Sequence, residues 1–192
     1  MKRSVKEEKM SEEMIVQHCA PTLAGMKTGN LFSCPYQTKK ELQDDIRRMN
    51  HLLGPKGVRV LLMRCMGGRA LIYLYRPGHL RRDFSDKEAA ALLSQYGYAA
   101  EYPERCLARL AGRLRASGEF PHEIGLFLGY PPEDVRGFIE NKAAGCKCVG
   151  CWKVYGDEEK AKQTFCRYRR CTDIYCDSWA KGMSVERLTV TV

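Results

Sequence analysis

The stretch Val58-Arg59-Val60-Leu61-Leu62-Met63-Arg64-Cys65-Met66-Gly67-Gly68-Arg69-Ala70-Leu71-Ile72-Tyr73-Leu74-Tyr75-Arg76 decides the fold. Two β runs, 58–65 and 69–76, meet at Gly67-Gly68. Glycine tolerates the positive φ of a tight hairpin turn, so the stretch predicts an antiparallel pair. Pairing across that turn sets Met63 opposite Ile72 and Leu61 opposite Leu74. On the other face Leu62 meets Tyr73 and Val60 meets Tyr75. Both faces are apolar, which predicts helices on both sides of the sheet. The same register sets Arg59 opposite Arg76, a like-charge pair that costs stability and implies an anion or acidic group beside it.

Outward from the hairpin, helical signals dominate. Thr38 and Glu41 form a capping box ahead of Leu42, Ile46, Met49 and Leu53, whose spacing makes a buried stripe. Gly54-Pro55 ends that helix. Residues 4–18 read as a helix, 20–30 as a loop because of Pro21, Gly25 and Gly29, and 31–34 as a short strand. Ser85 and Glu88 form a second capping box, opening a helix that runs to Tyr96. A helix from Pro103 turns Cys106, Leu107, Leu110 and Leu114 inward and carries Arg105, Arg109 and Arg113 on another face. Short helices follow at about 121–128 and 132–141. A cysteine-rich loop and a strand at 152–155 come next, and Asp157 caps a helix to about residue 180. Residues 184–192 read as a tail or final strand. The expected fold is α+β: a small, mainly antiparallel sheet built on a central hairpin and flanked by six or more helices. It is expected as a single domain over 1–192, with a three-helix unit at about 103–142.

Composition narrows the function classes. A chain of 192 residues buries enough apolar surface to fold without staples. Residues 1–14 are charged and lack the apolar core of a secretory signal, and the longest apolar run, 70–75, is far too short to span a bilayer. A cytoplasmic protein with no membrane span is therefore expected, its ten cysteines reduced. The net charge of +9 is concentrated: residues 38–82 hold eleven basic and three acidic side chains. Such a local field attracts anionic partners, or simply solvates one face.

Three constellations carry chemistry. Cys146-x-Cys148-x-x-Cys151 has a spacing that lets three thiolates turn onto one metal, with a fourth ligand from elsewhere, as in a structural zinc site or an iron–sulfur cluster. The competing reading is free thiols. Cys166, Cys171 and Cys176 step by five along a helix and cannot converge on one point. The loop from His18 to Cys34 gathers an imidazole, two thiols, Lys27 and Asn30. It lacks the glycines of a Walker loop, yet Lys27, Asn30 and backbone N–H groups suit an anion. His18 with Cys34 is the better thiol–imidazole pair there, because His18 and Cys19 point apart on a helix. Third, Gly125, Gly129 and Val135 have helix-turn-helix spacing. The second helix, however, holds Glu133, Asp134 and Glu140 against Arg136 and Lys142, which suits a phosphate-lined groove poorly. Tyr168 among Arg167, Arg169 and Arg170 is a basic-aromatic cluster able to stack on a nucleobase or flavin.

The stretches 18–25 with 30–34, 120–131, and 152–157 with 188–190 resemble domain-of-unknown-function family 3793, in order and over nearly the whole chain. The resemblance implies one cytoplasmic domain of anaerobic bacteria, associated with flavodoxin and ferrous-iron uptake. It carries no catalytic residue. Together these readings point first to an accessory factor in iron or redox metabolism. It would bind a metal or an anionic cofactor through cysteines and basic residues (Lys27, Asn30, Arg59 and Arg76), or an acidic, flavodoxin-like partner. The alternatives are a nucleic-acid-binding regulator using residues 121–141, and a thiol-dependent enzyme around His18 and Cys34.

Overall fold

The computed structural model describes residues 10–116 and 120–192. Among them are nine helices, a three-stranded antiparallel sheet and a two-stranded one, an α+β fold. Residues 4–9 of the expected first helix lie outside the described residues. The sheet has the order β1-β3-β2, built from β1 (Gly29–Pro35), β2 (Arg59–Met66) and β3 (Arg69–Tyr75). Central β3 gives Tyr73 and Tyr75 to one face and Ala70, Ile72 and Leu74 to the other.

Helices cover both faces, as two apolar strand faces require. Beneath the tyrosine face lie α3 (Pro77–Phe84), α4 (Lys87–Gln95), α5 (Pro103–Arg115), α6 (Ile124–Phe127) and α7 (Pro132–Glu140). The opposite face packs on α1 (Glu12–Leu23), α2 (Lys39–Leu53) and α9 (Val185–Leu188), with α8 (Glu158–Ala180) against α1. Thr38 caps α2 by accepting from the Glu41 N–H at 3.2 Å. Asp157 caps α8 in the same way at 3.0 Å.

The hairpin register departs from simple pairing. Cys65 faces Ala70 and Arg64 faces Leu71 as the turn dictates, but beyond Met63 the pairs become Leu62–Ile72, Leu61–Tyr73, Val60–Leu74 and Arg59–Tyr75. Met63 is the extra residue of a β-bulge, with its side chain buried among the α3–α7 helices. A bulge leaves ladder groups unpaired, and Arg115 from the end of α5 donates to the Met63 carbonyl at 3.0 Å. Arg59 therefore does not oppose Arg76, and the inferred like-charge pair does not exist.

Three element boundaries also differ from expectation. Helix α1 runs through Pro21 to Leu23 instead of ending before it. Arg76 accounts for this: its guanidinium donates to the C-terminal carbonyls of the helix, those of Thr22 at 2.7 Å and Leu23 at 2.6 Å. Asp86, rather than Ser85, caps α4, accepting from Glu88 and Ala89. Ser85 ends α3, and its hydroxyl donates to the Arg82 carbonyl. Residues 184–192 form α9 and an irregular end rather than a strand, with the Val190 N–H on the Leu23 carbonyl.

Candidate functional site

The short sheet β4 (Cys148–Val149) and β5 (Lys153–Val154) stands on α7 through one buried acid. Asp134, 3% exposed, accepts from Trp152 Nε1 at 2.6 Å and from the Tyr155 and Gly156 N–H groups at 2.7 Å each. Hydrogen bonds to an ionised acceptor are about twice as strong as neutral ones, so Asp134 fixes the hairpin's direction. Gly137 lets the hairpin approach: a Cβ there would lie 2.4 Å from the Tyr155 ring.

So fixed, the hairpin forms one wall of a cleft of about 580 Å³. His18 and Pro21 of α1 form a second wall, with Lys27 and Asn30 beside them. Phe165, Tyr168, Arg169, Thr172 and Asp173 of α8 form a third. Tyr130 closes one end, stacked on Trp152 with ring centroids 4.8 Å apart, and its hydroxyl donates to the Cys151 carbonyl at 3.1 Å.

Lys27 is the unusual member. It is 6% exposed, and its Nζ lies 5.2 Å from the centre of the Tyr130 ring. It makes no ion pair and no side-chain hydrogen bond among the described residues. Burial lowers its pKa from 10.5 to about 8, with the Cys19 and Cys151 thiols pulling weakly the other way. The backbone around it is held from several directions. The Lys27 and Met26 N–H groups donate to the Pro21 carbonyl at 3.1 and 2.8 Å, and the Arg76 N–H donates to the Thr28 carbonyl at 2.9 Å. The Thr28 hydroxyl bonds Asp83, and Gly129 fits against Thr28 where a Cβ would lie 2.9 Å from the threonine Cβ.

Burial raises the thiol and phenol pKa values around the cleft. Tyr130 and Tyr168 are each pushed up to about 12, chiefly by desolvation and then by the neighbouring Cys151. Cys151 is also raised by burial, with Lys27 and Arg169 opposing. These hydroxyls and this thiol keep their protons at neutral pH and act as donors.

The other sequence candidates scatter. His18 is exposed on α1 and stacks on Phe32 at 5.6 Å, on the cleft wall. Cys34 is buried in the α1–α2 core, and its pKa rises to about 11, chiefly by burial. The structure gives no contact between His18 and Cys34. Asn30 points its carbonyl at the Thr22 hydroxyl, 2.7 Å away, and borders the cleft. Arg76 is 2% exposed and donates to four carbonyls, those of Thr22, Leu23, Lys56 and Val190. Arg59 lies with it in a separate pocket of about 130 Å³ beside His79 and Val192. Much of the basic surplus of 38–82 is likewise engaged within the protein. Arg47, Arg48, Arg81 and Arg82 pair with carboxylates, Arg64 donates to the Leu114 carbonyl, and Arg69 bonds Ser33.

Cys146, Cys148 and Cys151 do not converge. Among the described residues no three His, Cys, Asp or Glu side chains are grouped to hold a metal ion. Cys148 lies in the β4–β5 ladder opposite Val154, while Cys151 lies in the turn and lines the cleft. The helix-turn-helix spacing does produce close packing, since a Cβ on Gly125 would lie 2.7 Å from Val135 Cγ2. Yet α7 lies between α4 and the β4–β5 sheet, and its exposed residues are Glu133 and Glu140, both acidic. The arginines of α5 are turned to the protein as well. Arg105, Arg109 and Arg113 lie over the rings of Tyr102, Tyr98 and Tyr96 at 4.8, 5.6 and 5.4 Å, and Arg113 pairs with buried Glu123.

A family model described as "Protein of unknown function (DUF3793)" matches residues 15–189, and the chain belongs to that family. Comparisons with curated proteins and with solved structures returned no match. His18, Asn30 and Tyr130, from stretches that carry the family resemblance, all line the Lys27 cleft. No helix among the described residues is long and apolar enough to cross a membrane.

Proposed function

We propose that this protein binds a small anionic ligand with a flat ring in the cleft between α1, α8 and the β4–β5 sheet. The observation that carries the reading is the Lys27 ammonium, buried without a counter-charge at the cleft wall. A buried cation without a partner is destabilising, and a ligand anion supplies the missing charge. Arg169 adds a second positive charge at the same cleft, while Asn30 and Asp173 offer polar contacts to neutral or donor groups. His18, Tyr130, Phe165 and Tyr168 provide aromatic surface for a ring. A volume of about 580 Å³ suits a ligand the size of a mononucleotide or flavin phosphate.

Trp152, stacked on Tyr130, reports on the cleft. Titration with flavin mononucleotide and with inorganic pyrophosphate, followed by tryptophan fluorescence and calorimetry, is expected to give saturable binding that weakens as salt is raised. Lys27→Met and Arg169→Ala should each weaken it by roughly tenfold or more. Absence of saturable binding for both probes would overturn the reading.

A further inference from the structure

We infer that Lys27 is an amine nucleophile that forms an imine with an aldehyde or ketone carrying an anionic group, held in the same cleft. The inference rests on the binding reading above and adds the reacting group of the ligand. Three features of the site support it.

First, the amine is placed. Backbone bonds to Pro21 and Arg76, the Thr28–Asp83 contact and the fit of Gly129 against Thr28 fix the chain on either side of Lys27. The side chain therefore leaves a rigid base and reaches the cleft from one direction, and this positioning lowers the entropy cost of attack. Second, the amine is available. An ion-paired lysine is locked as an ammonium, but Lys27 makes no ion pair among the described residues, and burial favours the neutral form with its lone pair. At pH 7.5 a group titrating near 8 is neutral roughly a hundredfold more often than an ordinary surface lysine. Third, proton donors stand at the same cleft. The Tyr130 and Tyr168 hydroxyls keep their protons at neutral pH.

The step balances without a further reagent. The Nζ lone pair adds to the carbonyl carbon, the carbonyl π pair moves to oxygen, and the proton lost from nitrogen ends on that oxygen through a tyrosine or water. In the carbinolamine the nitrogen lone pair then forms the C=N bond as the C–O bond breaks, and the departing hydroxyl takes the remaining nitrogen proton and leaves as water. Nothing is oxidised or reduced. Arg169 holds the anionic end of the carbonyl compound, and Asn30 a neutral polar group. The Cys19 thiol from α1, the Cys151 thiol from the hairpin and the Tyr130 ring act on Lys27, and Tyr168, Arg169 and Asp173 from α8 line the same cleft.

The test is reductive trapping of the full chain with pyridoxal 5′-phosphate and, separately, glyoxylate, using cyanoborohydride and peptide mass mapping. Lys27 should be labelled at least about tenfold faster than any other lysine at pH 7.5, with a rate rising through a midpoint near pH 8. A Cys151 hemithioacetal is not reduced, so it leaves no label. Lys27→Arg keeps a positive charge at the site and should lose the trapped adduct. Labelling spread evenly over surface lysines, with pyrophosphate still bound, overturns the imine and leaves the anion cleft standing. Even labelling with no pyrophosphate binding overturns both.

Discussion

Arg76 and Lys27 are both buried cations beside the end of α1, and their surroundings are opposite. Arg76 donates to four backbone carbonyls from α1, the turn before β2 and the C-terminal segment. Lys27 lies about as deep and has an aromatic face and two neutral thiols for company. The first closes a helix end and ties the C-terminal segment to the sheet. The second contributes nothing of that kind, and its burial opposes folding. A charge kept at such a cost, on a backbone held so firmly, fits a site waiting for its counter-charge better than a packing element. Asp134 and Glu123 belong with Arg76: each buried carboxylate is fully engaged, Glu123 by Tyr98 and Arg113.

The comparison is sharpened first by Arg76→Met. Four carbonyls lose a charged donor, and the expected cost is about 4 kcal/mol. For a chain of this size that lowers the thermal midpoint by roughly 10 °C. A change below about 1 kcal/mol would break the contrast from the Arg76 side. Asp134→Ala comes next, at roughly 3 kcal/mol by urea unfolding, for three lost charge-assisted bonds. Because Gly150 and Cys151 then lose their support, ligand binding should fall with it.

Lys27→Met should act in the opposite direction. The lysine pKa is lowered from 10.5 to about 8 on folding. Below pH 8 both folded and unfolded chains hold the proton, and the penalty is full, roughly 3 kcal/mol. Between 8 and 10.5 the folded chain has released a proton that the unfolded chain keeps, so stability of the natural protein rises with pH through that window. Lys27→Met is therefore expected to be more stable by roughly 2 kcal/mol at pH 7, with the gain vanishing above pH 10.5. Urea unfolding at pH 7, 9 and 10.5 reads both sign and window. The smallest effect is expected from Gly129→Ala, about 1 kcal/mol in thermal unfolding. Its φ of +73° and its contact with Thr28 both resist a Cβ.

Local rules carry much of this fold. The Thr38 cap, the α5 stripe and the Asp157 cap depend on neighbours within a few residues, so they read directly from sequence. The Met63 bulge and the passage of α1 through Pro21 do not. Each is stabilised by an arginine distant in sequence, Arg115 in one case and Arg76 in the other. The site divides the same way. Lys27, Asn30 and His18 stand out as polar residues on one glycine-punctuated segment, and Tyr168 and Arg169 as a basic-aromatic cluster. That they share one cleft with Tyr130 and Cys151 is a product of tertiary packing. Asp134 looks no different in sequence from the exposed Glu133 and Glu140, and only the fold assigns it three donors. The triple-cysteine spacing misleads for a related reason: a two-stranded hairpin puts Cys148 in its ladder and Cys151 in its turn, and no three potential ligands are grouped among the described residues.

The most direct test is an NMR titration of the protein with 13Cε-labelled lysine, compared with Lys27→Met. The account predicts one lysine resonance titrating near pH 8, absent from the variant. A natural protein with no lysine resonance that titrates near pH 8 and vanishes in Lys27→Met would mean that Lys27 already has a counter-charge or free access to water, and the site would lose its basis.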